Sequence, residues 1–383
     1  MKILITNIML NNRTGTELYV RDLALTLLKR GHSPVVYTPA PGMIADEIRD
    51  ATIPVVDDLD NIAFVPDIIH GHHLYETVTA LLKYPNTPAV FLCHDWGAWH
   101  DVPPKFSRLR RYIPVDEACR DRLICENAIA EEKVRQILNF VDTKRFLKRA
   151  ALPVKPVRAL IFSNYAKESS YIEPVRQACA IAGIELDVVG AGVGKQTDSP
   201  ESIIGQYDLV FAKAKAAIEA MAVGTAVILS DSRGLGGMVT MENVRQLRQL
   251  NFGRRSLTEK IDTQNILEQI KKYNDVDAEA VSQFMRANAS MEDTVTNLIE
   301  IYEEVIAEQK SAQAADRDEE YAEIYDFFRT IRTGAFHVGP LPIERTIVSP
   351  TIAAPAFTHC AIAALKKMGV YKPLRAIYRL FKL

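Results

Sequence analysis

At 383 residues the chain is too long for one ordinary core, and about 100–200 residues per domain gives two domains with an appendage. Apolar residues at 48% and charged residues at 25% exclude disordered and fibrous classes, and a net charge of −2 gives no general reason to expect nucleic-acid binding. Five widely spaced cysteines, Cys93, Cys119, Cys125, Cys179 and Cys360, odd in number and without CxxC pairs, exclude a disulfide framework and fit a reducing cytoplasm.

The opening MKILITNIML reads as a first strand, because Asn interrupts the apolar run and no small-residue cleavage site follows. No segment reaches the roughly 18 apolar residues of a membrane span. NNRTGTE is then a loop and ELYVRDLALTLLKR a helix. Its Val20, Leu23, Ala24, Leu27 and Leu28 form one stripe, Arg21, Asp22, Lys29 and Arg30 are expected to face away, and Gly31 stops it. SPVVYTP is the next strand, and DIIHGHH and AVFLCHDW are strand ends that close on His. After ALPVKP, a linker expected around residues 148–157, the rhythm restarts: VRALIFSN strand, EPVRQACAIAGI helix, ELDVVGAG strand, DLVFAK strand end, AAIEAMAVG helix and TAVILSD strand. Alternating strands and helices predict parallel sheets with helices on both faces. The expectation is an α/β chain of two Rossmann-like domains facing a cleft, residues 1–150 and 151–310, then a mostly helical extension over 311–383.

The loop RTGTE lies where backbone N–H groups converge at a helix N-terminus; Gly15 allows close approach of an anion, and Thr14 with Glu17 fits a capping box. His70, His72, His73 and His94 fall at the carboxyl ends of strands, the edge where open parallel sheets bind ligands. The carboxylate ligands and helical spacing of hydrolytic metal motifs are missing, so no metal is assigned. Donation to a sugar hydroxyl or a developing charge is the functional reading, with His94 preferred because Trp96 and Trp99 stand beside it; ordinary loop histidines are the bland one. GAGVGKQT is neither a P-loop nor a dinucleotide fingerprint, since its spacing is wrong and no helix follows.

In FAKAKAAIEAMAVG a single carboxylate, Glu219, sits among Ala217, Ile218 and Met221. Buried without a partner it carries a large desolvation cost, whereas two ribose hydroxyls would satisfy its two oxygens. Lys213 and Lys215 precede that helix and, with its dipole, favour phosphate. Arg233 to Thr240 is expected to be a glycine-rich loop whose Gly236 and Gly237 bring backbone N–H groups to an anion.

Residues 1 to about 305 resemble a GT-B fold glycosyltransferase of family 4. The motifs are TGTELYVRDLALTLLKRGH, PDIIHGHH, FLCHDW, NFVDTKRF at 139–146 and EAMAVGTAVILSD. The resemblance implies a metal-independent, retaining hexosyltransferase, with a UDP- or GDP-sugar held by the second domain and a glycan or lipid-linked saccharide bound by the first. It implies that Glu219 binds ribose, that Lys167 in SNYAKES binds phosphate, that Gly15 and Thr16 approach the diphosphate, and that His94 lies near the transferred sugar. Three departures stand out: Phe211 occupies the position of the family's first Glu, the Arg before Lys167 is absent, and Phe140 replaces a Gly. A degenerate scaffold or binding subunit and a sugar-nucleotide epimerase are the alternatives. The last 23 residues carry six basic side chains from Lys366 to Lys382, no acid, and apolar Leu, Ile and aromatic residues. They read either as a peripheral anchor on an anionic inner membrane face or as a helix docking on protein.

Overall fold

The computed structural model describes residues 1–311 and 317–332. The expected strand-helix alternation forms two parallel sheets. In the first domain the elements are β1 (Lys2–Thr6), α1 (Gly15–Lys29), β2 (Ser33–Tyr37), α2 (Met43–Asp50), β3 (Val55–Val56), β4 (Ile68–His72), α3 (Leu74–Lys83), β5 (Ala89–Cys93), β6 (Leu109–Pro114) and α4 (Glu117–Asp121). The six strands lie in the order β3-β2-β1-β4-β5-β6, all parallel, so strand order reverses between β1 and β4. Val20, Leu23, Ala24 and Leu27 of α1 are wholly buried against the sheet, and Gly31 ends the helix at φ 79°. Two residues expected to face away do not. Arg21 is 6% exposed and bonds Asp22 at 2.6 Å and Glu47 at 2.9 Å, and Asp22 points to the second domain. Helical periodicity separates core from non-core, and it has no means of telling solvent from an opposing domain.

The second domain contains β7 (Arg158–Phe162), α5 (Ile172–Ala182), β8 (Glu185–Val189), α6 (Pro200–Ile203), β9 (Leu209–Ala212), α7 (Ala214–Val223), β10 (Ala226–Asp231), β11 (Gly234–Met238), α8 (Val244–Gln249), α9 (Thr263–Ile270) and α10 (Asp275–Asn288). Its order is β11-β10-β9-β7-β8, with reversal between β7 and β9 and β11 antiparallel. The expected glycine-rich loop is therefore a strand. Gly237 pairs Leu229 across the ladder, Leu235 and Glu259 exchange backbone bonds at 2.9 Å, and Met238 N–H donates to Gln269 at 3.1 Å. A Cβ on Gly236 would lie 2.3 Å from Ser256 O, and Gly237 has φ 80°, so these glycines permit close strand packing and offer no anion cradle.

The boundary between domains also differs from the expectation. Phe140 belongs to the first core and Val141 and Phe146 to the second, so the outward crossing falls at 140–141, ahead of 148–157. The chain returns at once after α10. Helix α11 (Met291–Ser311) places Met291, Val295, Leu298, Ile301, Tyr302 and Val305 in the first domain's core, which claims residues expected in the second. The two crossings run side by side: Val141 N–H donates to Ala289 O at 2.8 Å and Met291 N–H to Val141 O at 3.0 Å. Helix α12 (Arg317–Arg332) also packs on the first domain, through Glu320 to Arg108 at 3.0 Å and Phe327 against Phe106. No helix among the described residues is long and apolar enough to cross a membrane. The basic segment 361–383 lies outside the described residues.

Candidate functional site

Ligands of open parallel sheets bind beyond the carboxyl ends of strands where the order reverses. In the second domain this edge carries Lys213, directly after β9, and the turn after β7 that holds Tyr165 and Lys167. Lys213 Nζ pairs with Asp231 at the end of β10 and lies 5.8 Å from the Tyr165 ring. The next residue, Ala214, has φ 47°, a left-handed conformation that Ala adopts at a cost, and its N–H donates to Phe252 O at 2.8 Å. This bend starts α7 abruptly. The helix is rich in Ala, so Ala217, Ile218, Ala220 and Met221 pack closely beneath β10 and α10.

Glu219 lies on this helix, 6% exposed, with no hydrogen bond or ion pair among the described residues. Burial pushes its carboxyl up to about 7, while Lys215, Arg145 and Arg21 oppose the rise and Asp22 adds to it. Lys215, one turn earlier, passes Glu219 by and reaches Asp22 of α1 at 3.1 Å, its ammonium 5.7 Å over the Phe140 ring. Burial alone would raise the Asp22 carboxyl, but Lys215 and Arg21 outweigh it and hold it below the ordinary value. Arg13, in the loop before α1, pairs with Glu47 and donates to Asp198 O of the second domain at 3.1 Å. Charged side chains from both domains thus converge on one carboxylate that has no partner.

Gly15 is the exposed first residue of α1, and a Cβ there would meet nothing within 4 Å. Its neighbour Thr16 continues the first turn, whose N–H groups have no helical acceptor. The expected capping box is replaced by a different contact: the Thr14 side chain forms no cap bond, and the buried Glu17 accepts from the N–H of Asn12, two residues before the N-cap, at 2.6 Å. Lys167 is exposed, and its backbone N–H bonds Ser170 Oγ at 3.0 Å. Sequence reasoning missed Arg21, Asp22, Arg13 and Arg145. Only the Lys215/Glu219 spacing of four residues hinted at a charge cluster.

The histidines separate into two groups. His70 and His72, on one face of β4, are buried, and His72 Nδ1 lies 2.8 Å from His94 Nε2. His73, His100 and Asp101 instead lie close enough together to surround one ion. Ile8 N–H, however, donates to His73 Nδ1 at 3.1 Å, which leaves the proton of a neutral ring on Nε2 and no lone pair there for a metal. Burial pushes Asp101 up to about 7 against the pull of nearby backbone amides and Arg122. Trp99 packs on Tyr75 at 5.6 Å, and Trp96 is exposed.

Residues 13–145, from the α1 loop to the domain crossing, match the family model Glycosyltransferase Family 4. That segment is similar to the family; the solved structures bear on the fold of the whole chain. Its GT-B architecture is similar to that of a glycosyltransferase from Rickettsia africae ESF-5, at TM-score 0.57 and 13% identity, covering 80% of this chain and 98% of that one. It is equally similar to the Anabaena protein HepE in complex with UDP and glucose, at TM-score 0.57 and 14% identity, covering 79% and 100%. Sucrose-phosphate synthase from Thermosynechococcus elongatus follows at TM-score 0.55 and 12% identity, covering 80% and 99%. No curated protein sequence matches the chain. Phe211, counted eight residues before Glu219, is a wholly buried residue of β9 paired with Ile228, so no carboxylate accompanies Glu219 from that position.

Proposed function

We propose that the chain moves a hexose from a nucleotide-diphosphate sugar, UDP- or GDP-linked, to a glycan or lipid-linked saccharide in the synthesis of a polysaccharide. The observation that carries this reading is Glu219, a buried carboxylate without a partner at the cleft edge of the nucleotide-side domain. A ribose diol donates two hydrogen bonds to such a group and offsets its desolvation. Lys213, Lys215 and the exposed Lys167, with the first turns of α7 and α1, place positive potential where a diphosphate would lie. Each lysine has three donors, so Lys213 and Lys215 keep Asp231 and Asp22 while meeting phosphate oxygens.

In the transfer the bond from the anomeric carbon to the diphosphate oxygen breaks and an acceptor oxygen takes its place. The lysines stabilise the departing diphosphate, and His94 donates to the sugar side. Retention, independence of a metal and a cytoplasmic site on the inner membrane face belong to the same proposal. The second reading, a scaffold that binds and does not transfer, is favoured by the absence of a companion carboxylate at Phe211. Release of nucleoside diphosphate from a panel of nucleotide sugars, with Glu219→Ala as control, separates the two. An enzyme loses the release in the variant, and a scaffold shows none in either. An epimerase is told apart by a product sugar that still carries its nucleotide.

A further inference from the structure

Behind His94 the first domain buries a row of rings that the donor site does not use. Residues 70 and 72 of β4 project to one face, with ring centroids 4.7 Å apart. Tyr302 of α11 contacts His70 Nδ1 at 2.5 Å, and His72 Nδ1 meets His94 Nε2 at 2.8 Å. His72 is held from several sides. Its backbone N–H donates to Thr6 Oγ1 at 3.0 Å, its carbonyl accepts from the same hydroxyl at 3.0 Å, and Tyr19 packs edge-on at 5.6 Å. His94 follows β5 at the start of the 94–101 loop and is only partly covered.

A nitrogen-nitrogen contact of 2.8 Å between two imidazoles needs one proton between them. Burial, with further lowering from His100 and Lys215, brings His94 down to about 3, and His72 lies well below its usual value, so both rings are neutral. The other nitrogen of His72, Nε2, is buried with no partner among the described residues. A proton placed there would be an orphaned buried donor, which is rarer in folded proteins than a bare acceptor. The proton of His72 therefore belongs on Nδ1, donated to His94 Nε2, and His94 must carry its own proton on Nδ1. We infer that His72 is a positioning residue that locks His94 in the Nδ1–H tautomer, making it a neutral hydrogen-bond donor on the nitrogen turned away from His72. This deepens the reading of His94 at the transferred sugar and rests on it. A neutral donor supports developing charge without titrating near neutral pH.

The test is nitrogen-15 NMR of the histidine-labelled full chain, with His94 assigned through a His94→Asn variant, beside kinetics of donor turnover. The expected wild-type spectrum shows His94 protonated at Nδ1 and bare at Nε2, unchanged between about pH 5.5 and 8. His72→Asn, whose amide presents a donor at the Nδ1 position, retains that spectrum and rescues activity. His72→Phe shifts His94 toward the other tautomer and lowers kcat by roughly 10²–10³-fold, the loss of one preorganised donor, with donor KM preserved. A wild-type His94 protonated at Nε2, or a His72→Phe spectrum identical to wild type, overturns the inference. If no nucleotide sugar is turned over, the transferase reading fails while the spectrum still decides the tautomer.

Discussion

Replacing Glu219 by Gln isolates the carboxylate on which the proposed donor site depends. Burial raises its pKa from 4.5 to about 7, so between those values the folded chain holds a proton that the unfolded chain has released. Stability from this group is intact below the unfolded value and falls as pH rises toward the folded one. Full ionisation costs the folded state about 3 kcal/mol at 1.36 kcal/mol per pKa unit. Glu219→Gln removes that cost. The variant should be about 1 kcal/mol more stable than wild type at pH 5 and about 3 kcal/mol more stable at pH 8, read by paired urea unfolding. Burial also pushes Glu17 and Glu76 up to about 7, as it does Asp101, but these groups are common to both proteins and cancel in the difference. A nucleotide whose ribose donates to the ionised carboxylate pulls its pKa back down, so binding to wild type at pH 7 should release about half a proton. Calorimetry in two buffers of different ionisation enthalpy reads this. The variant should release none from this site and bind roughly 10- to 100-fold more weakly. A stability difference that does not change with pH, or equal proton release from both proteins, would refute the reasoning.

Other consequences are local. Ala214→Gly relieves a left-handed alanine and should stabilise the chain by about 0.5–1 kcal/mol in urea unfolding; destabilisation would contradict the bend that starts α7. The two glycine sites should behave oppositely. Gly237→Ala, at φ 80° and with Gln269 Oε1 only 3.0 Å from the added Cβ, should cost about 1–2 kcal/mol of stability. Gly15→Ala should leave unfolding unchanged to within about 0.5 kcal/mol and show itself in weaker nucleotide diphosphate binding. Deleting 361–383 should reduce sedimentation with anionic vesicles, and unchanged partition would remove the membrane proposal.

Much of the architecture was legible because each strand is a short apolar run and each helix has its own stripe. Both patterns are local, and β1, β2, β4, β5 and β7 to β10 fall where those runs stand, whereas the two-residue β3 and the arginine-bearing β6 were not read from the sequence. What escaped was non-local. The return of α11 to the first core depends on the pairing of Val141 with Ser290, residues far apart in sequence. The Gly234–Met238 segment reads as a loop by composition and becomes a strand because Leu257, Ser256 and Glu259 crowd its backbone. Glu219 was legible as a carboxylate out of place. The partners of its neighbours were not, since Lys215 finds Asp22 only once the two domains face each other.

The account stands most directly on nucleotide recognition by the second domain. A thermal-shift panel of UDP, GDP, ADP and their sugars tests it, run on wild type and Glu219→Ala at equal protein concentration. The account predicts that one base is preferred and that its nucleotide, at about 100 times the dissociation constant, stabilises wild type by roughly 2.7 kcal/mol. The variant should lose most of that gain. No shift with any nucleotide, or an equal shift in the variant, would contradict the claim that Glu219 waits for a ribose.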